Sequence, residues 1–112
     1  MANGPNAPLF ASAIEDVDNL LVPSISLVEV FRRVYQQRSE NEALQAVSTM
    51  RGGRVVDLDF PMAAMAGKLG VERKLPIADS IIYATAVVHG ATLWTQDADF
   101  DGLPGVRYFP KR

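Results

Sequence analysis

The feature that most constrains this chain is one segment, Leu75–Asp101, with the sequence LPIADSIIYATAVVHGATLWTQDADFD. Its apolar residues predict a helix over Ile77–His89, roughly 20 Å long. A short apolar stretch, Ala91–Thr95, predicts a strand. The extended chain from Ala91 to Asp97 would also span roughly 20 Å. Because Gly90 joins the two in a tight turn, we expect the strand to run back antiparallel to the helix.

The turn brings the start of the predicted helix and the end of the predicted strand to the same side of the molecule. Carboxylates lie at both of these ends. Asp79 lies at the start of the predicted helix, Asp97 at the end of the predicted strand, and Asp99 in the polar turn beyond it. Each has a simple structural explanation as well. An acid in the first turn of a helix gains roughly 0.3–1 kcal/mol from the helix dipole, and Asp97 and Asp99 are typical turn formers.

The rest of the chain alternates between helix and strand patterns. Strands separated by helices favour an α/β fold with a parallel sheet and right-handed crossovers. Pro23 is expected near the end of its strand, where it disturbs the sheet least. In order, the other predicted elements are a helix over Pro8–Asp16, a strand over Asn19–Ile25, helices over Ser26–Gln37 and Asn41–Met50, a strand over Arg54–Asp59, a helix over Phe60–Leu69 and a strand over Val106–Phe109.

A further acid, Glu29, follows the strand Asn19–Ile25 and so lies at the carboxyl end of that strand. Ligands of open parallel α/β sheets bind at this end. The spacing from Ser26 to Glu29 also matches a capping box, which remains an alternative. Carboxylates gathered on one rim repel each other unless a cation lies among them, and oxygen ligands suit Mg²⁺ or Mn²⁺. The sequence therefore predicts a Mg²⁺ or Mn²⁺ site, and such an ion activates water and polarises phosphoryl oxygens.

Composition narrows the classes of function. The 112 residues, 48% hydrophobic and 21% charged, predict a single globular domain over residues 1–112. With no cysteine and one histidine, disulfides, thiolate nucleophiles and multi-histidine metal sites are excluded. A net charge of −2 is atypical of a protein that coats nucleic acid, although a metal-dependent nuclease tolerates it. Because no signal peptide or membrane-length apolar run is seen, a cytoplasmic protein is expected.

Two stretches, VPSISLVEVFRRV and LPIADSIIYATAVVHGATLWTQDADFDGLPGVRYF, and more weakly VVDLD, resemble the PIN-domain family and its VapC-like toxins. The resemblance implies a three-layer α/β/α fold with a parallel sheet and metal-dependent hydrolysis of RNA phosphodiesters. It implies a cognate antitoxin and homodimers as well. The implied site consists of Glu29, Asp79 and Asp97 as catalytic ligands of Mg²⁺ or Mn²⁺, Asp99 as a further metal-binding acid, and Ser26 and Thr95 in support.

One family feature is missing from the sequence. The family begins with a central strand that ends in an Asp, in a V-V-D-[ST]-S-like run, and no such run occurs here. We therefore expect the first central strand to be missing, with a gap in the sheet and a site that lacks one carboxylate. Several explanations fit the missing strand. The chain could be a fragment or have a misassigned start, it could be an inactive paralogue, or a partner's strand or strand exchange in a dimer could complete it.

Two functions follow from these observations. One is a Mg²⁺- or Mn²⁺-dependent endoribonuclease of the PIN/VapC type. The other is a catalytically impaired PIN-like module that binds an antitoxin or a second copy of itself. A flavodoxin-like nucleotide binder is disfavoured, since no glycine-rich phosphate loop follows a strand.

Overall fold

The computed structural model describes residues 12–15 and 20–110, which form a five-stranded sheet with four α-helices. None of the described helices is long and apolar enough to span a bilayer. In chain order the elements are β1 (Ser12–Glu15), β2 (Leu20–Pro23), α1 (Ser24–Gln37), α2 (Glu40–Met50), β3 (Arg54–Val56), α3 (Phe60–Arg73), α4 (Ile77–Val88), β4 (Thr92–Thr95), a 3-10 turn (Ala98–Phe100) and β5 (Val106–Tyr108).

The strands lie in the order β3-β2-β1-β4-β5. β2 pairs in parallel with β3, and β4 in parallel with β5, whereas β1 is antiparallel to both of its neighbours. Four strands therefore run in the same direction and bring their carboxyl ends to one edge of the sheet. The predicted α/β fold is confirmed, with one difference: the sheet is mixed, because its central strand is reversed.

β1 corrects two predictions. The helix predicted over Pro8–Asp16 is wrong where the structure describes that segment, since Ser12–Glu15 is a strand; the rest of the segment lies outside the described residues. The expected gap is also filled, because β1 pairs with β2 on one side and β4 on the other. Those strands both have backbone groups that need partners, and Ile14 is buried between the layers, so tertiary context overrides the local helical pattern.

α4 forms the centre of the main core. Its residues Ser80–Ala86 are all buried, and they pack with α3 and with core side chains of the sheet such as Ile14 and Leu93. A side chain at Gly70 of α3 would collide with the hydroxyl of Ser80, which shows how closely the two helices approach. The same hydroxyl donates to the carbonyl of Pro76 at 2.8 Å, which fixes the first turn of α4.

α1 and α2 form a second, smaller cluster through Val30, Val34 and Ala43. α1 begins immediately after β2, so its first residues lie at the sheet edge where the carboxyl ends of four strands meet. Pro23 is the last residue of β2, as predicted. This edge therefore collects the start of α1, the end of β4 and, through the turn at Gly90, the start of α4.

Candidate metal centre

Three aspartates converge at this edge of the sheet. Ligand oxygens of Asp79, Asp97 and Asp99 all lie within 4.8 Å of one another. Asp79 comes from the first turn of α4, Asp97 follows β4, and Asp99 belongs to the 3-10 turn. The structure therefore brings together three of the four metal-binding acids expected from the sequence.

The end of β4 is shaped by Asp97 itself. Its carboxylate accepts a hydrogen bond from the backbone N–H of Asp99 at 2.9 Å and caps the 3-10 turn. Its own N–H donates to the hydroxyl of Thr95, also at 2.9 Å. The turn-former interpretation of Asp97 is thus correct, and it is compatible with a place in the acidic cluster, because the same turn brings Asp99 beside it.

Thr95 connects the acidic turn to the central strand. It is 2% exposed, and its Oγ1 lies 2.9 Å from Oγ of Ser12 on β1 while it accepts from Asp97. Sequence reasoning missed Ser12, because its segment carries a helical pattern and its strand pairing depends on distant residues. Ser26 is half-buried and lines an apolar cavity of about 300 Å³ together with Ser12 and Ile82. Ser26 is therefore placed near Ser12, at the start of β1.

Glu29 lies at the margin of the site. The capping-box interpretation is wrong, since α1 begins at Ser24, after Pro23, and has no side-chain cap. Glu29 is outside the group of three aspartates, although its charge contributes to the raised pKa of Asp79. The side chain as a whole is exposed, yet partial burial of its carboxyl group raises the pKa of Glu29; Arg33 lowers this pKa and Asp97 raises it.

The reversed direction of β1 determines what it contributes to the site. Ser12 pairs with Thr95 at the acidic edge, whereas Glu15 pairs with Thr92 and so lies at the opposite end of the strand. Within residues 12–15 and 20–110, β1 therefore supplies a hydroxyl to this edge and no carboxylate. The Asp that ends the family's first central strand therefore has no replacement from β1.

Burial, together with repulsion between the acids, favours the protonated form of Asp79. The pKa of Asp79 is raised from 3.8 to about 7 by burial, then by the charge of Asp97 and a hydrogen bond to it, and then by Asp99 and Glu29. Near neutral pH this proton relieves the repulsion that a cation would otherwise relieve. An all-carboxylate set of oxygens fits Mg²⁺ or Mn²⁺ and does not fit soft metals.

The raised pKa predicts a pH-dependent stability. Asp79 is ionised at high pH in the folded and unfolded states, but its folded pKa lies well above its unfolded value. Its contribution to the free energy of unfolding is therefore fully present below the unfolded pKa and is lost as pH rises through about 7. In Asp79→Asn the amide still donates to Asp97 without ionising. We expect the free energy of unfolding of this variant to exceed that of the wild type by on the order of 1–2 kcal/mol at pH 8 in EDTA, after discounting for solvent screening.

Urea unfolding of both proteins at pH 5 and pH 8 measures this difference. Asp101→Asn, which removes an exposed acid outside the cluster, is the matched control and should show no comparable gain. An Asp79→Asn variant whose advantage is the same at pH 5 and pH 8 would contradict the electrostatic account of the cluster.

His89 has a structural explanation that accounts for its position. Its Nδ1 lies 2.9 Å from the carbonyl oxygen of Thr85, in the last turn of α4. This contact satisfies a carbonyl at the helix end.

Comparison with known proteins places this geometry in a family. The model of the PIN domain matches residues 2–106. A solved structure described as a toxin–antitoxin complex from Klebsiella pneumoniae is 29% identical, with a TM-score of 0.69 over 81% of this chain and 75% of that chain. No curated protein matches the chain significantly. The family model spans nearly the whole sequence, and the chain therefore belongs to the PIN domain family.

Proposed function

We propose that this chain is a metal-dependent endoribonuclease of the VapC toxin type. The observation that carries the proposal is the convergence of Asp79, Asp97 and Asp99 at the carboxyl edge of the sheet, where the pKa of Asp79 is raised to about 7. Asp79, Asp97 and Glu29 are the proposed catalytic acids and ligands of Mg²⁺ or Mn²⁺. Asp99 is a further ligand.

Each residue has a definite part in this proposal. A bound Mg²⁺ or Mn²⁺ supplies Lewis-acid polarisation of the phosphodiester and a water of lowered pKa. Asp79 releases its proton when the site is loaded. Thr95 holds the backbone of Asp97, so the Asp97 carboxylate is already oriented. Glu29 adds negative charge beside Asp79, and Ser26 is a supporting residue of the proposed site.

We further propose the partners and the compartment. RNA is the substrate, and a cognate antitoxin is the inhibitor. The solved structure that resembles this chain is described as a toxin–antitoxin complex, which supports the proposal of an antitoxin partner. A homodimer and a cytoplasmic location complete the proposal, in keeping with a single small domain.

One observation favours a second function, a catalytically impaired PIN module that binds an antitoxin or itself. β1 brings Ser12 to the acidic edge where a family member has a carboxylate from its first strand. Loss of one metal ligand can remove several kcal/mol of transition-state stabilisation. Such a module keeps the fold and the docking surfaces but hydrolyses RNA slowly or not at all.

Incubation of the purified chain with a mixed RNA pool distinguishes the two functions. We expect cleavage in Mn²⁺ or Mg²⁺ that stops in EDTA, with circular dichroism showing a folded protein in both cases. Absence of cleavage from a folded chain in either metal would reject the ribonuclease and leave the binding module.

A further inference from the structure

Two aromatic rings stack on each other at the surface of the sheet, close to the acidic edge. The ring centroids of Trp94 and Phe109 are 5.5 Å apart, and the ring planes are inclined to each other by only 14°. Both side chains are partly exposed, by 37% for Trp94 and by 44% for Phe109. Contiguous apolar surface of this kind is typical of an interaction site. This pair of rings is called the aromatic platform below.

The register of the strands determines which way the platform faces. Trp94 pairs with Ala13 on one side and with Arg107 on the other, so these three residues form one row on the same face of the sheet. Leu93 and Thr95, the neighbours of Trp94 along β4, are buried and face the opposite side. Because Ala13 is too small to cover the indole, the ring of Trp94 is accessible to a ligand.

Arg107 supplies a positive charge beside the rings. Its guanidinium carbon lies 5.8 Å from the centroid of the Trp94 ring, within the range of a cation–π contact. Arg107 is exposed and forms no salt bridge with another residue of the described part of the chain. Its charge is therefore available to an anion that approaches the platform. Stacked rings with an adjacent cation are the combination that binds the bases and phosphates of a single nucleic-acid strand.

The platform is connected to the acidic cluster through Thr95. The backbone N–H of Phe109 donates to the carbonyl of Thr95 at 2.8 Å, and the hydroxyl of Thr95 accepts from the N–H of Asp97. Phe109 follows the last residue of β5, which is parallel to β4, so it lies at the same carboxyl edge of the sheet as Asp97. A nucleic-acid strand with one phosphate at the acids can therefore place an adjoining base on the platform.

We propose that the aromatic platform binds an unpaired base of single-stranded RNA by stacking, while Arg107 contacts a neighbouring phosphate. This inference rests on the proposed ribonuclease function and specifies the form of its substrate. In a duplex each base is covered by its neighbours, so a stacking site selects single strands. It does so with little sequence preference, because every base has an aromatic face. The platform therefore recognises an unpaired strand and not a particular base sequence.

Fluorescence of Trp94 tests this binding directly, because Trp94 is the single tryptophan of the chain. The chain is titrated in EDTA, which prevents metal-dependent cleavage, with a mixed-sequence single-stranded RNA of about ten nucleotides, a length typical of stacking sites. The same RNA annealed to its complement is the second probe. We expect the single strand to quench the fluorescence of Trp94 in a saturable way, and the duplex to bind at least about tenfold more weakly.

Two variants separate the contribution of stacking from that of charge. Phe109→Leu removes a ring but keeps an apolar side chain, and it should raise the Kd for the single strand about tenfold without changing its salt dependence. Arg107→Gln should reduce the slope of log K against log salt by about 0.7, as expected for the loss of one phosphate contact to a single strand. Tyr35→Leu is the matched control, since it removes an exposed ring that pairs with Phe31 near the far end of α1, and it should bind as the wild type does. Anisotropy of a labelled RNA gives the Kd values independently of Trp94, and circular dichroism shows that each variant is folded.

Three results would each overturn the platform: fluorescence of Trp94 that the single strand does not change, equal affinity for the duplex, or wild-type affinity in Phe109→Leu. Cleavage in Mn²⁺ is measured separately and tests the ribonuclease. Binding of the single strand without cleavage leaves the platform standing and rejects only the ribonuclease. Cleavage with the same KM in Phe109→Leu as in the wild type overturns the platform and leaves the ribonuclease standing.

Discussion

Replacing Asp79 with asparagine is expected to reduce metal-dependent RNA cleavage by about a thousandfold, or about 4 kcal/mol of transition-state stabilisation. Burial and the charges of Asp97, Asp99 and Glu29 raise the pKa of Asp79, so its carboxylate lies in a region of concentrated negative charge. Asparagine keeps its size and its hydrogen bond to Asp97 but cannot supply the charge. Initial rates on a fluorogenic RNA in saturating Mn²⁺ measure the loss.

Two further variants make this result specific. Asp97→Asn should lose activity similarly while keeping the turn, because the asparagine Oδ1 still accepts from the N–H of Asp99. Asp101→Asn removes an exposed acid outside the cluster and should keep activity within about twofold, as expected of a surface change. Equal activity of Asp79→Asn and the wild type would show that cleavage does not depend on this cluster.

Phe100→Ala is expected to lower the free energy of unfolding by about 3–5 kcal/mol. Phe100 is fully buried, with its ring centroid 6.4 Å from that of Tyr83. It ends the 3-10 turn that carries Asp99, so it anchors the acidic turn to the core. Urea unfolding monitored by circular dichroism in EDTA measures the change.

Phe109→Ala provides the comparison for this prediction. Phe109 stacks on Trp94 with a centroid distance of 5.5 Å but is 44% exposed. Its loss should cost no more than about 1.5 kcal/mol, because much of its surface is already in water. Equal destabilisation by the two variants would mean that Phe100 does not hold the turn through burial.

The features that sequence predicted well are local ones. The segment from Ile77 to Thr95 has a helical period, a glycine and a short apolar run. These features predict a helix, a tight turn and a strand antiparallel to the helix. The meeting of Asp79 with Asp97 follows from that geometry. The start of the helix predicted from Phe60 is local as well, since the side chain of Asp59 caps it by accepting from the N–H of Met62.

The features that sequence missed depend on contacts between distant residues. Ser12–Glu15 is a strand because β2 and β4 leave unpaired backbone on both sides, and no local pattern shows this. The helix predicted over Phe60–Leu69 continues through Gly70 to Arg73. The glycine is required because Ser80 approaches it closely. Lys74 caps the end of the helix in the left-handed conformation.

The site itself shows the same division. The type and order of the acids predicted a hard-cation site, whereas the position of Glu29 at its margin depends on where α1 begins. The motif Ser26-x-x-Glu29 was compatible with a cap, and only the start of the helix at Ser24 excludes it.

Titration of the chain with Mn²⁺, followed by the loss of the free-ion paramagnetic resonance signal, tests the central claim most directly. The wild type is expected to bind Mn²⁺ with an affinity that increases as pH rises through about 7, where Asp79 loses its proton. Asp79→Asn and Asp97→Asn should each weaken binding by at least about tenfold, while Asp101→Asn should leave it unchanged. Absence of Mn²⁺ binding by the wild type would contradict the assignment of these aspartates as a metal centre. So would binding to Asp79→Asn and Asp97→Asn that is as tight as binding to the wild type.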